Sequence, residues 1–400
     1  MSTEAMARER LGAAPWLRMA PLRAVFTALD AASGRTRVVG GAVRDTLLGR
    51  NAEAIEIDLA TTLVPEEVTA RAEAKGIAVI PTGIAFGTVT LTVAGTGFEV
   101  TTLRHDVETD GRRALVRFGT DWTEDARRRD FTLNALYCGP DGALFDPLGG
   151  LEDCLAGRVR FIGEAAARIA EDRLRVFRFF RFSASHGGER FDADGLSAST
   201  AAAGALGPLS AERIGHEMTR ILGLRHCAKT LGTMAEAGLV DLDTGVIDAL
   251  RHYERVAVTP ALAGRLALLG GSDGQTQLQR RWRLSNALVK QARALHEAAG
   301  LIAAGKLAEA AYRQPAAGLA AVDIAGARAA WTREDCAGLR GRFALYKPPP
   351  FPITGALLVR HGFAAGPRLG TLLSHLESAW IDSDFTLTEA ELLAMAAERS

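Results

Sequence analysis

The sequence predicts a mixed α/β head followed by an all-α remainder. Three observations carry this. Strand-like segments, β-branched or alternating, concentrate before residue 150 and nearly vanish beyond it. The turn-rich stretch Pro147-Leu148-Gly149-Gly150 closes that region. Beyond it Ala, Leu and Arg dominate, and apolar residues recur at helical spacing to the C-terminus. The expected organisation is a head over 1–150, a helical neck over 151–225, and an all-α body and tail over 226–400.

Within the head, Pro21 opens a helix on which Leu22, Val25, Phe26 and Leu29 share one face, and Gly34 ends it. Thr36 to Val39 is a β-branched strand. Gly40-Gly41 follows, then a second helix from Ala42 to Leu48, closed by Gly49. Ile55 to Leu59 alternates with acids and reads as a strand; Pro65 to Lys75 reads as a helix stopped by Gly76. Ile77–Ile80, Phe86–Val93 and Phe98–Arg104 read as strands, the last two joined across Gly95–Gly97. Residues 105–120 read as a mobile polar loop, 124–137 as a helix, and 171–182 as one amphipathic helix. The run Lys347-Pro348-Pro349-Pro350-Phe351-Pro352 is a rigid connector between late helices.

Composition narrows the class. The 400 residues carry 47 basic and 47 acidic side chains, 48% hydrophobic content and 24% charged, which excludes wholesale disorder and a collagen-like chain. Neutrality argues at first sight against a strongly basic nucleic-acid coat protein. Placement argues the other way: seven Arg between 158 and 181 face only Glu164, Glu171 and Asp172. Only five basic residues are Lys, so the cations are mostly Arg, whose planar fork binds phosphate bidentately; codon composition is the competing reading of this bias. Cys138, Cys154, Cys227 and Cys336 form no CxxC pair, so neither a zinc site nor a disulfide framework is expected. Met1 to Arg10 mixes charges of both signs, and no apolar run is long enough to span a bilayer, so a cytoplasmic protein is expected.

The chemistry concentrates in the head. Residues i and i+2 of a strand point to one face, so Glu56 and Asp58 present two carboxylates side by side. They follow a strand, Gly40-Gly41, and a helix carrying Arg44 and Asp45. Two glycines let backbone approach phosphate closely, and Arg44 adds a fork for a phosphate oxygen. Paired carboxylates opposite a phosphate cradle suit Mg²⁺, which takes oxygen ligands and shares them with substrate phosphates. Glu99, on a later strand, is a third candidate carboxylate; an ion pair with a nearby Arg is the competing reading.

These residues resemble the head of the class II tRNA nucleotidyltransferases (CCA-adding enzymes) and bacterial poly(A) polymerases. The matching segments run in order from Val39-Gly40-Gly41-Ala42-Val43-Arg44-Asp45 to Ile57-Asp58-Leu59-Ala60-Thr61. Arg128-Arg129-Asp130-Phe131-Thr132-Leu133-Asn134-Ala135, Glu171-Asp172-Arg173-Leu174-Arg175, and Ser210-Ala211-Glu212-Arg213-Ile214 with Glu217 follow. The resemblance spans residues 36–225 and departs at Glu56, where the family usually has Asp. It implies a nucleotidyltransferase head whose Glu56 and Asp58 hold Mg²⁺, with Glu99 beside them. It also implies that Gly40, Gly41, Arg44, Arg128, Arg129, Asp130 and Asn134 contact ribose and phosphates. On 171–182, Asp172 and Arg175, with Arg178 on the same polar side, would read the base. Carboxylate and guanidinium match the amino donor and ring acceptor that cytosine and adenine share, and that uracil and guanine reverse. The implied partners are the tRNA 3′ end, CTP and ATP. The implied reaction is attack of the RNA 3′-hydroxyl on the α-phosphate, with Mg²⁺ lowering the hydroxyl pKa and stabilising pyrophosphate.

Residues 280–293, with Arg280, Arg281, Arg283, Lys290 and Arg293 and no acid, would line a path for tRNA phosphates or simply form an exposed basic face. Three other readings remain open: a poly(A) polymerase, a partial enzyme adding only CC or only A, and a catalytically impaired RNA-binding protein, the last motivated by Glu56.

Overall fold

The computed structural model describes residues 2–50, 56–110, 113–207 and 209–398. Before the first strand lie helices α1 (Thr3–Gly12), capped by the Ser2 side chain, and α2 (Ala20–Ala28), opened by Pro21. Strand β1 (Thr36–Val39) then turns at Gly40 into the short helix α3 (Gly41–Leu47). Gly40 has φ +72° and ψ −118°, a backbone region that side chains other than glycine rarely enter. Strand β2 (Asp58–Thr61), helix α4 (Pro65–Glu73) and strands β3 (Ala78–Gly83), β4 (Thr88–Val93) and β5 (Thr96–Thr102) follow.

Among the described residues these strands, with β8 (Tyr137–Cys138) and β9 (Leu144–Phe145), form a seven-stranded sheet ordered β3-β4-β5-β2-β1-β8-β9. Only the β2–β5 pair is parallel. One face carries Val38, Leu59, Val89, Leu91, Phe98 and Val100, all buried, and packs on α2 and α4 through Leu22, Val25, Phe26 and Val68. Each such side chain removed from water contributes ~1.5–3 kcal/mol, so this apolar face fixes the register of the whole sheet. The register in turn sets what the opposite face displays: Asp58 pairs with Glu99, and Glu99 with Thr90, along one row.

The expected strand 55–59 is observed as Asp58–Thr61, leaving Glu56 just before it; residue 55 lies outside the described residues. The expected loop over 105–120 is instead mostly an antiparallel pair, β6 (Arg104–Asp110) and β7 (Arg113–Phe118). Its polar character belongs to a two-stranded ribbon separate from the main sheet. The expected helix 124–137 is also shorter: α5 (Trp122–Arg127) is capped by Asp121, and then 3₁₀ geometry at Thr132–Asn134 leads into β8. Its remaining apolar residues, Phe131, Leu133, Ala135 and Leu136, are buried without continuing the helix.

Among the described residues no strand follows β9, and the elements beyond it are helices. Helices α6 (Gly150–Ala156) and α7 (Ala165–Glu171) precede α8 (Arg175–Ser185). The single helix expected over 171–182 is therefore two. Asp172 caps α7 in extended geometry, φ −146° and ψ 104°, and accepts from the Leu174 N–H, which turns the chain before α8 starts. On α8, Phe177, Phe179, Phe180 and Phe182 are buried; Phe161, Phe131 and Phe191 extend this aromatic cluster. Helices α9 (Ala193–Ala202) and α10 (Ala211–Leu222) follow.

The chain divides into two units, Met1–Glu217 with Glu236–Val240, and Met218–Ala235 with Asp241–Ser400. The second unit is built from α11 (Ala228–Glu236), α12 (Thr244–Val256), α13 (Leu262–Trp282), α14 (Asn286–Ala303), α15 (Leu307–Arg313), α16 (Gly318–Ala329), α17 (Arg333–Leu345), α18 (Gly355–Arg360), α19 (Pro367–Asp382) and α20 (Glu389–Ala397). Its main core joins Leu250 and Tyr253 to Leu266, Leu295, Ile302, Val322 and Ile324. A second cluster around Trp380 takes in Ile353, Leu358, Leu376 and Leu392. Arg265 is fully buried, and its guanidinium donates to the Leu222 and Arg225 carbonyls at 2.8 and 2.7 Å, satisfying charge-bearing N–H groups that would otherwise be costly. The basic run 280–293 spans the end of α13, a left-handed turn at Arg283, and the exposed side of α14. No helix among the described residues is long and apolar enough to cross a membrane.

Candidate active site

Asp58 and Glu99 are register partners on parallel neighbours β2 and β5, so their side chains leave the same face of the sheet. Both are exposed, as is Glu56. The nearby protein partly desolvates Asp58, and the negative charges of Glu99 and then Glu56 add repulsion; together they push its carboxyl up to about 6, against a weaker opposing pull from Arg129. Carboxylates held against mutual repulsion are a donor set that a hard cation relieves. Among the described residues no three or more His, Cys, Asp or Glu side chains form a ready metal cage. The oxygen donors present fit a divalent ion that also takes ligands from substrate phosphates.

Val39 pairs with Asp58, and the chain turns at Gly40 directly beyond it. The Gly40 N–H donates to the Leu136 carbonyl at 3.1 Å, tying this turn to the segment that carries Asn134. Arg44, one turn into α3, is 8% exposed. Its Nη1 donates to Asn134 Oδ1 at 2.6 Å, and its Nε and Nη2 grip the Asp45 carboxylate at 2.8 and 3.2 Å. A guanidinium has five N–H donors, so two remain for a phosphate oxygen.

Asp130 is buried beneath this group. Its Oδ1 accepts from the Phe131 N–H and Asn134 Nδ2, and its Oδ2 from Arg178 Nε at 2.7 Å. Burial alone would raise the Asp130 carboxyl, but Arg178 and these hydrogen bonds hold it below the usual range. Arg128 and Arg129 both turn onto Asp125, at 2.5 and 3.1 Å. Asp125 is buried at 1% exposure and also accepts from the Tyr137 hydroxyl at 2.9 Å. Burial would raise it as well; Arg129 and Arg128 hold it down. Asp125 was not singled out from the sequence, although its spacing of three and four residues from the two arginines was available as a signal.

Asp172 and Arg175 do not share a helix face, because the chain bends between α7 and α8. Asp172 Oδ2 accepts from Arg213 Nη2 at 2.7 Å, so the α10 motif residue Arg213 orients it. Arg175 Nη1 meets Glu171 Oε2 at 2.6 Å, and its Nη2 donates to the Arg128 carbonyl at 3.0 Å. Arg178 also lies 3.7 Å from Glu217, whose other oxygen receives Arg181. The structure thus brings Gly40, Gly41, Arg44, Asp130, Asn134 and Arg178 into one connected group, and Asp58 and Glu99 together on the sheet face with Glu56 close enough to act on Asp58 from just before β2.

An acidic sheet face beside a Gly-Gly turn, within this strand order, is the head of a nucleotidyltransferase, and residues 36–160 match the poly(A) polymerase head-domain family. The chain belongs to the CCA tRNA nucleotidyltransferase family. It is 33% identical over 378 residues to the mitochondrial CCA tRNA nucleotidyltransferase 1 of Danio rerio, covering 90% of this chain and 86% of that protein. It is 37% identical over 267 residues to the CCA-adding enzyme of Geobacillus thermodenitrificans, covering 64% of each. Its fold matches the CCA-adding enzyme of Bacillus stearothermophilus in complex with CTP at TM-score 0.75 and 28% identity, over 95% of this chain and 98% of that one. The Thermotoga maritima CCA-adding enzyme complexed with tRNA shares the fold at TM-score 0.66 and 20% identity, over 98% of each chain.

Proposed function

We propose that this protein adds C, C and A in turn to the 3′ end of tRNA from CTP and ATP, in the cytoplasm and with Mg²⁺. The observation that carries the reading is the cross-strand pair Asp58–Glu99 beside the Gly40 turn. In this reading the Gly40-Gly41 backbone and the two remaining Arg44 donors receive the triphosphate, joined by Arg128 and Arg129 from their anchor on Asp125. Asp130 and Asn134 position the ribose. Asp172 accepts from the base amino group and Arg175 donates to the adjacent ring nitrogen, while Arg178 keeps α8 seated on Asp130. Glu56 and Asp58 hold the cation, with Glu99 completing the acidic face. When bound, the divalent ion lowers the pKa of the RNA 3′-hydroxyl and stabilises the departing pyrophosphate. The protein's own contribution is positioning and preorganised charge, sufficient for in-line attack on the α-phosphorus. Head residues 1–150 supply the chemistry, 151–225 the base selection, and 226–400, with its exposed basic run on α13 and α14, the tRNA contact. Free cysteines, all buried, support a reducing compartment.

The test is incubation with tRNA lacking its 3′ end, Mg²⁺ and each labelled nucleotide. A stop after C-C-A supports the proposal; long A tracts indicate a poly(A) polymerase. Addition of C-C alone or A alone indicates a partial enzyme, and tRNA binding without incorporation indicates an impaired one.

A further inference from the structure

His186 lies outside every motif named above, yet it closes a circuit through the proposed nucleotide site. It caps the C-terminal end of α8. Its Nε2 lies 3.0 Å from Asp45 Oδ1, the oxygen that also receives Arg44 Nε. The chain of contacts then runs from Arg44 to Asn134, from Asn134 to Asp130, and from Asp130 to Arg178, which is again on α8. Two turns of one helix therefore grip the Gly-Gly element and the 130–134 segment at both ends. Phe182 lies between the two grips, with Arg44 at 5.2 Å and Arg178 at 5.4 Å from its ring centroid.

We infer that His186 is a positioning residue: through Asp45 it fixes the Arg44 fork so that the two unengaged N–H groups point where the triphosphate binds. The inference rests on the reading of Arg44 as a phosphate contact. The geometry says why a histidine is used. Asn134 holds Arg44 Nη1, but the other two engaged donors close on Asp45, a sequence neighbour whose carboxylate can turn about its own side-chain torsions. A third partner from another element removes that freedom. The side chain of His186 is 9% exposed, so water competes little for its N–H. Its own second nitrogen is held, with Ser185 Oγ 2.7 Å from Nδ1. Burial pushes the Asp45 carboxyl up, but the hydrogen bond from His186 and the pairing with Arg44 hold it down at about 2, so it stays ionised throughout the working range. The groups facing the imidazole are Asp45, Arg44 and Arg50.

The role predicts a particular kinetic signature. Arg44 addresses phosphate and has no contact with the base-reading pair, so its misplacement weakens CTP and ATP alike. In steady-state assays of the full chain, His186→Phe, which keeps the ring and removes both nitrogens, should raise KM for CTP and for ATP together by about tenfold, the scale of one charge-assisted hydrogen bond. The kcat and the discrimination against UTP should stay within about twofold. His186→Gln, whose amide places an N–H near the Nε2 position, should return KM most of the way to the parent value. Ser185→Ala, a small change that removes the partner of Nδ1, should move KM in the same direction by less, and it keeps the inference testable if His186→Phe does not fold. Unchanged KM in His186→Phe, or equal loss in His186→Phe and His186→Gln, overturns the inference. Arg44→Lys separates the two levels. A parent-like KM in that variant removes the phosphate reading itself. A raised KM there with a normal His186→Phe removes only the positioning role.

Discussion

Arg178 Nη2 lies 2.6 Å from Asp130 Oδ2, joining α8 to the Arg128–Thr132 segment through a carboxylate that is almost wholly buried. Forty-eight residues of chain separate the two. Such a pair is a poor source of net stability, because both charges leave water, but deleting one partner strands the other. Asp130→Ala should therefore cost about 3–5 kcal/mol in urea unfolding. It should also abolish nucleotide incorporation under conditions where the remaining folded fraction is saturated with substrate.

Asp125 is the equivalent anchor for Arg128 and Arg129. Removing it leaves two guanidiniums around one apolar site, with Tyr137 also losing its acceptor. Asp125→Ala should lower the urea midpoint by the equivalent of about 3 kcal/mol or more. An unchanged midpoint would show that the two arginines find other partners without loss.

Asp58 provides a pH test. Its folded carboxyl titrates at about 6 and its unfolded one near 4. Between those values the folded state binds more protons, so stability falls as pH rises through this window and the loss is complete above it. A divalent cation neutralises the same repulsion. Mg²⁺ should thus raise the melting temperature at pH 8 and have little effect at pH 5. Asp58→Asn should remove both the pH slope and the Mg²⁺ response, and abolish CMP and AMP incorporation with the fold intact.

Asp172 Oδ2 is held by Arg213 Nη2. Asp172→Ala should relax base choice, read as increased UMP or GMP incorporation in competition with CMP. Arg213→Ala should show the same loss of discrimination in weaker form, because it frees the carboxylate without deleting it.

At Gly40 a Cβ would have only Asn134 O within 4 Å, at an ordinary 3.7 Å, so the constraint there is conformational rather than steric. Gly40→Ala should cost about 1–3 kcal/mol from the positive φ, measured by thermal melting. KM for both nucleotides should rise, since the turn carries the proposed phosphate contact.

The head's architecture was readable because alternation and glycine turns are local signals. Val38, Leu59 and Val100 show their buried face within a few residues of sequence. The places where reading failed turn on local hydrogen bonds and pairings that residue type and periodicity do not mark. The 171–182 run has unbroken helical periodicity, yet Asp172 is extended, accepts from Leu174 N–H and is held by Arg213 where the helix breaks. The β6–β7 ribbon is polar enough to pass for a loop, because its strands pair with each other outside the main sheet. Of the proposed site, the carboxylates and Arg44 stand out by residue type and spacing. His186 does not, because its partner is 141 residues away and no local pattern marks it.

The four cysteines are buried and none is in a disulfide. Burial pushes the Cys138 and Cys154 thiols up to about 12, so at neutral pH they carry almost no thiolate to react. Cys154 Sγ sits 3.9 Å from the carbonyl oxygen of Arg44, directly behind the α3 turn. An alkylating reagent reaches it only when that packing opens, so its labelling rate is an intrinsic clock for breathing of the α3 element, legible by mass spectrometry without a substitution.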